Sequence, residues 1–379
     1  MNSKALTVSV LVSAFAFSAM NNSVNSAVKH HAEQSSTHVV VEEFATDLDN
    51  PWGLVFLPNG ELLVTQRSGD LLKLSANGDV IGPVSGLPKA VVKGQGGMLG
   101  ITIHPDFASN QMVYVCLNVA GEGGAGSEVH AGKLVGNTLQ NVKPVFVAQP
   151  KADTGYHFGC RVTFDNQQHL FISLGDRGIG KDLAQDINLH YGKVIRVNAD
   201  GSVPSDNPFV GKDGADDVFS YGHRNVQGMT RHPETGDIWT HEHGPKGGDE
   251  INILAAGNNY GWPKITYGVN YNGSIITDKT AMEGMQQPLT YWDPSIAPSG
   301  MTFYTGDMFK EWKGHVLIGS LKFRHLRRVE LDSNNKVVAQ HEMLADRNER
   351  IRDVVQAPDD SIFVVVDGVD GKILRLSTQ

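Results

Sequence analysis

A histidine set between glycines, in Lys151–Arg161 (KADTGYHFGCR), is the first group in this chain that could do chemistry. On such a loop His157 is open to approach, and histidine is the side chain whose ordinary charge change falls near neutral pH, as a general base requires. Asp176, in the LGDRG that follows, can orient it or stabilise its charge. Cations form a second set. Arg350 and Arg352 in RIR, and Lys322 and Arg324 in KFR, stand two residues apart, which puts each pair on one face of an extended chain. Arg224, beside Asn225 in HRN, makes a third contribution, and the three are read as equivalent places in a repeat. Converging cations suit a multiply charged anion, because Arg offers carboxylates a rigid donor fork. Taken singly, each is an ordinary solvated charge.

A third set is rich in oxygen. Carbonyls near Gly244-Pro245, the carboxylates of Asp249 and Glu250, and the turn Asn258-Asn259-Tyr260 are ligands of the kind calcium takes. The spacing is not that of an EF-hand. His241 and His243 share one face of a strand, but no third ligand at matching spacing accompanies them, which argues against zinc. The fourth set is Gly94-Gln95-Gly96-Gly97, where glycines let the backbone approach a flat ligand and Gln95 can hydrogen-bond it; an ordinary turn would read the same way. No nucleotide-binding glycine fingerprint is present. Much of this polarity falls between Tyr221 and Trp262, a stretch too polar for core and too elaborate for a hairpin, and it is read as the floor of an active site.

The elements that must position these groups repeat. A short apolar strand, a turn of Pro, Asp, Asn or Gly, and a second apolar strand recur from Gly53, Gly100, Arg161, Gly228, Gly300 and Arg352. Further strand-like pieces follow, such as DLLKLS, KVIRVN, DEINIL, HLRRVEL and KILRLS. Six such units without helical periodicity exclude βαβ folds and helical solenoids. Radial repetition of antiparallel sheets solves the exposed-edge problem without helices. The expectation is therefore all-β: a six-bladed β-propeller of four-stranded antiparallel blades, in one domain over 28–379, with strands from both chain ends closing the ring. Long inserts after Asp176, Asn198 and Asn259 are taken as elaborated loops on one face.

A formal charge of −9 excludes a protein whose main partner is nucleic acid. Behind Lys4, the run ALTVSVLVSAFAFSAM is too short to span a bilayer and ends in small residues. Residues 1–27 are read as a cleaved signal peptide, with the mature chain beginning between Met20 and Val28, and so as export to the periplasm or beyond; no later segment is apolar enough to span a membrane. Cys116 and Cys160 are either a disulfide of an exported protein or two small buried hydrophobes, and both readings stand.

Taken together, LDNPWGLVFLPNG, GQGGMLGI, GYHFG, SYGHRNVQGM, EHGPKGGDEIN, NNYGWP, SGMTFY and RIRDV resemble the soluble aldose sugar dehydrogenases that use pyrroloquinoline quinone (PQQ), within the glucose/sorbosone dehydrogenase family. The resemblance covers nearly the whole mature chain and implies a six-bladed propeller. It implies that His157 removes the proton of the anomeric hydroxyl while hydride leaves C1, with Asp176 in support. It implies that Arg224 and Asn225 lie near the quinone oxygens, and that Gln95, Lys322, Arg350 and Arg352, with Arg324 and Tyr271, hold the cofactor. Gly244 and Pro245 would offer carbonyls to calcium, and Glu250 and Tyr260 would serve a further calcium site. The long inserts of the glucose-specific members are not recognisable here, which points to the shorter branch of broad substrate range. No CxxCH haem motif is present, so electrons would pass to a separate acceptor. The subunit would act as a monomer or homodimer. Two other readings are a calcium-dependent propeller lactonase, with His157 activating water, and a binding platform without catalysis. The ring of cations speaks against the first, since a neutral lactone has no use for it. His157, Asp176, Arg224 and Asn225, read as lying on successive blades, speak against the second.

Overall fold

A computed structural model describes residues 38–379; the expected signal peptide lies outside the described residues. Six four-stranded antiparallel sheets account for the strands. The first strands of the blades are Pro51–Phe56, Met98–Ile103, Val162–Phe164, Val226–Arg231, Pro298–Phe303 and Ile351–Gln356. Each touches the first strands of the two neighbouring blades, so these six ring the axis. The sixth blade closes the ring: its three C-terminal strands are completed by Val39–Leu48, which pairs antiparallel with Gly371–Thr378. All six units read from the sequence are first-and-second strand pairs of blades.

Four of the second strands, Leu62–Gln66, Ile238–Glu242, Val316–Ser320 and Ile362–Val366, are buried along their whole length. Each is covered on both faces by neighbouring blades, which is why these strands read as continuous apolar runs. The hydrophobic core is correspondingly divided into six clusters, one in each wedge between adjacent blades. Cys116, on the second strand of blade 2, and Cys160, just ahead of blade 3, are joined by a disulfide in the largest wedge.

One position of the first strand departs from the repeat in two blades. Aligned by the strands that follow, it is Gly53, Gly100, Arg161, Gly228, Gly300 and Asp353. Blades 3 and 6 face each other across the ring, and Arg161 Nη1 meets Asp353 Oδ2 at 2.9 Å. Gly300 leaves room for this pair: a Cβ there would stand 2.1 Å from Asp353 Oδ1. The axis is thus plugged by a buried ion pair. Arg161 also stacks 4.1 Å over the ring of Trp52 and donates to the carbonyls of Gln227 and Arg352.

The long inserts do not all belong to one face. Val226↔Glu242, Glu242↔Glu250 and Asp249↔Trp292 align one end of blade 4, so the connection from Ile253 to Thr290 leaves from the other end. It climbs beside the last strand of blade 3, through Tyr260 N–H to Tyr221 O (2.8 Å) and Trp262 N–H to Gly222 O (2.8 Å), and so delivers Trp262 to the face that carries His157. The insert at 199–217 follows the third strand of blade 3 and stays at the far end.

Candidate active site

His157 and Asp176 both belong to blade 3, ahead of its first strand and after its second, and are not on successive blades as the sequence suggested. Their connections open at the same end, where His157 Nδ1 lies 2.5 Å from Asp176 Oδ1. Two more donors reach the carboxylate, Gly178 N–H at 2.8 Å to Oδ1 and Trp262 Nε1–H at 2.8 Å to Oδ2. Burial would raise the Asp176 carboxyl, but the His157 bond, the Gly178 N–H and the Arg224 charge outweigh it and hold the pKa below the ordinary value. An ionised carboxylate only accepts, so Nδ1 of His157 carries the hydrogen and Nε2 is left as a base.

The backbone of His157 is held under strain. Its φ is +50°, in the left-handed region that costs a non-glycine residue free energy. Gln95 Oε1 accepts its N–H at 2.9 Å, and Gln95 N–H donates to Gly155 O at 2.9 Å, so the GQGG loop clasps the histidine loop. Gly175 permits the approach from the other side, since a Cβ there would lie 2.2 Å from His157 O.

Beside this dyad a cleft of about 560 Å³ opens at the axis. Lys322, Arg324, Arg350 and Arg352 line it, with Gln95 and Asn225, and so does Arg67, which sequence reasoning missed. The lining thus holds five cations against one carboxylate, Asp367. Arg350 and Arg352 enter at the start of a first strand, whereas Lys322 and Arg324 follow a second strand. These are different connections of the repeat, which open on the same face. Trp52, Phe158 and Gly159 also line it, and the Trp52 ring lies 4.1 Å from the guanidinium of Arg161 and 5.8 Å from that of Arg352. Arg352 Nε is buried and has no partner among the described residues. A planar anion with several carboxylates fits such a cleft in shape and charge.

Arg224 and the oxygen-rich set sit next to the cleft, sharing His243 with it. Arg224 donates to His243 O (3.0 Å) and Gly244 O (2.8 Å), and its N–H donates to Glu242 Oε2. Glu250 faces Glu242 across two paired strands, with Gly244, Tyr260 and Arg224 around it. Desolvation, and then the charge of Glu242, push its carboxyl up to about 8. A divalent cation would relieve this pairing of acids. The hydroxyl of Tyr260 is engaged with Ile253 O at 2.7 Å, so its side chain is a brace. Among the described residues no group of three or more His, Cys, Asp or Glu has metal-ligand spacing, so calcium here would depend on backbone carbonyls. His241 is buried and faces Gly228, and among the described residues it belongs to no group of three or more metal-binding side chains. Tyr271 is not brought to the cleft. It is 73% exposed, next to the turn in which Gly273 N–H donates to Asn270 O.

The sequence profile of the Glucose / Sorbosone dehydrogenase family matches residues 48–375. The chain belongs to that family. It is 40% identical over 346 residues to the aldose sugar dehydrogenase YliI of Escherichia coli (strain K12), covering 89% of this chain and 93% of the other. The crystal structure of the soluble aldose sugar dehydrogenase of E. coli in the apo-form superposes with a TM-score of 0.87 at 39% identity, over 90% of this chain and all of that one. The PQQ-bound aldose sugar dehydrogenase of Streptomyces coelicolor superposes with a TM-score of 0.74 at 28% identity, over 90% of this chain and 99% of that one. Within the glucose/sorbosone dehydrogenase fold, the residues missed by sequence reasoning are Arg67, Trp52, Trp262 and Asp367. Arg67 and Asp367 immediately follow second strands, as Lys322 and Asp176 follow theirs within a few residues. The residue after each second strand was the available signal.

Proposed function

We propose that this protein oxidises aldose sugars at C1 to aldonolactones, with PQQ as the oxidant in the cationic cleft. The carrying observation is the juxtaposition of a carboxylate-fixed histidine and a cleft with five cations to one acid. Lys322, Arg324, Arg350 and Arg352 would hold the cofactor's carboxylates, with Gln95 and Asn225 as neutral partners. The bound quinone supplies a two-electron acceptor for the hydride that leaves C1. His157 Nε2 takes the proton of the anomeric hydroxyl, and Asp176 stabilises the imidazolium that results. Trp262 keeps Asp176 in place, and Gln95, which lines the cleft, holds the backbone of His157 beside it. Arg224 sets a positive charge where negative charge builds on the oxidant. Calcium, held by the carbonyls of Gly244 and Pro245, would add Lewis-acid polarisation, and a second ion near Glu250 would neutralise the buried acid pair. Electrons then leave to a separate acceptor.

The exported location is part of this reading. It is supported by the apolar run after Lys4 and by the Cys116–Cys160 disulfide, which persists in oxidising compartments. N-terminal sequencing of the mature protein should find a start between Met20 and Val28.

Purified protein stripped with a chelator, then supplied with PQQ, calcium or both, tests the function by dye reduction over a panel of aldoses. Activity should return only with both, and recovery with calcium alone would refute the reading.

A further inference from the structure

Asp367 is out of place in a cleft built for an anion. It follows the second strand of blade 6, and its N–H donates to Arg350 O at 2.8 Å. Its Oδ2 accepts from Arg350 Nη2 at 3.3 Å and from Arg352 Nη2 at 3.1 Å. The side chain is 13% exposed. Burial would favour the neutral acid, but the charges and hydrogen bonds of Arg352 and Arg350 prevail and hold the carboxyl below its ordinary pKa, so it is ionised at neutral pH. A single carboxylate oxygen therefore sits on the two guanidinium groups that are best placed to take the carboxylates of a ligand.

Two features separate this from a structural ion pair. Both bonds are longer than the 2.7–2.9 Å or so usual for charge-assisted pairs, so one oxygen is shared between two donors without fully satisfying either. The arginines also keep donors in reserve: Arg352 Nε is unpartnered among the described residues, and the Arg350 side chain is 44% exposed. Such a pair needs a counter-charge when the cleft is empty, because two cations two residues apart repel. When an anionic ligand arrives, the same carboxylate becomes a competitor.

We propose that Asp367 is an internal counter-anion of the cofactor cleft, an affinity-setting residue that steadies Arg350 and Arg352 in the apo-protein and opposes the carboxylates of PQQ when the cofactor binds. The inference rests on the quinone reading above. It makes the cofactor exchangeable: the charge that keeps the empty cleft folded also limits how tightly the ligand is held.

The test compares wild type with Asp367→Asn and Asp367→Ser at fixed calcium. PQQ is titrated against the intrinsic fluorescence of the cleft, which Trp52 lines, at several salt concentrations. Melting temperature is measured with and without PQQ. Both apo-variants should melt several degrees below wild type, yet bind PQQ roughly tenfold more tightly and with a steeper salt dependence, since one opposing charge is gone. The second substitution covers the case in which the first fails to fold. Wild-type binding with equal or weaker binding in the variants would make Asp367 a strut for the arginines and overturn the proposal alone. Absence of PQQ binding in wild type and variants would overturn the quinone reading and this proposal with it.

Discussion

Arg161→Met should be among the most damaging single changes that leave every cleft-lining side chain in place. The substitution removes the ion pair with Asp353 at 2.9 Å, the donations to Gln227 O and Arg352 O, and the stacking on Trp52 at 4.1 Å. It also strands Asp353, which is only 4% exposed and whose pKa burial already raises despite Arg161. Breaking a buried pair by removing one partner costs about 3–5 kcal/mol. About 340 ordered residues unfold with an entropy near 0.7 kcal/mol per kelvin, so a loss of about 4 kcal/mol lowers Tm by roughly 6 °C. The assay is a thermal melt at fixed scan rate together with urea unfolding, on the wild type, Arg161→Met, Asp353→Leu and the double variant. Because the double variant leaves no uncompensated charge buried at the axis, it should recover at least half of the larger single loss. A Tm for Arg161→Met within about 1 °C of wild type, or double-variant losses equal to the sum of the singles, would refute the plugged-axis argument.

Replacing His157 by Gln should lower turnover by roughly 10²–10⁴ with PQQ binding retained, as loss of a general base does; unchanged turnover would remove His157 from the mechanism. Either Cys116→Ser or Cys160→Ser should cost about 4 kcal/mol of unfolding free energy in urea, since the bond closes a sequence separation of 44 residues. His325 is 1% exposed and accepts Arg327 Nε–H at 3.3 Å; burial, then the Arg327 charge, bring its pKa from 6.5 down to about 4. The unfolded chain therefore takes up a proton first, so stability should fall as pH drops from about 6.5 toward 4, and His325→Gln should flatten that part of the pH profile.

The fold was legible because each blade repeats a strand–turn–strand unit whose second strand is buried on both faces. Burial on two sides leaves an uninterrupted apolar run, a local signal that needs no knowledge of neighbours. The third strand of blade 2, Gly124–Val135, escaped notice because GAGSEVHAGKLV mixes glycines and charges and shows no such run. His157, the cation pairs and the GQGG loop were visible as residue types out of keeping with core or turn. Tyr271 belongs to the same class of local reading, yet it stands in solvent because the loop that carries it turns away from the axis.

Sequence alone thus determined the number of blades and most of the polar side chains that face the cleft, because both follow from a period along the chain. Only the tertiary structure decided which of them meet. Trp262 reaches Asp176 because a connection climbs from one end of a blade to the other, a path no local pattern encodes. Arg161 meets Asp353 because closing a ring sets residues face to face that the linear order keeps apart, and Asp367 meets Arg350 and Arg352 because the first two strands of blade 6 pair with Ile351 opposite Val366. Charge at those points is balanced through space, and a one-dimensional reading cannot see through space.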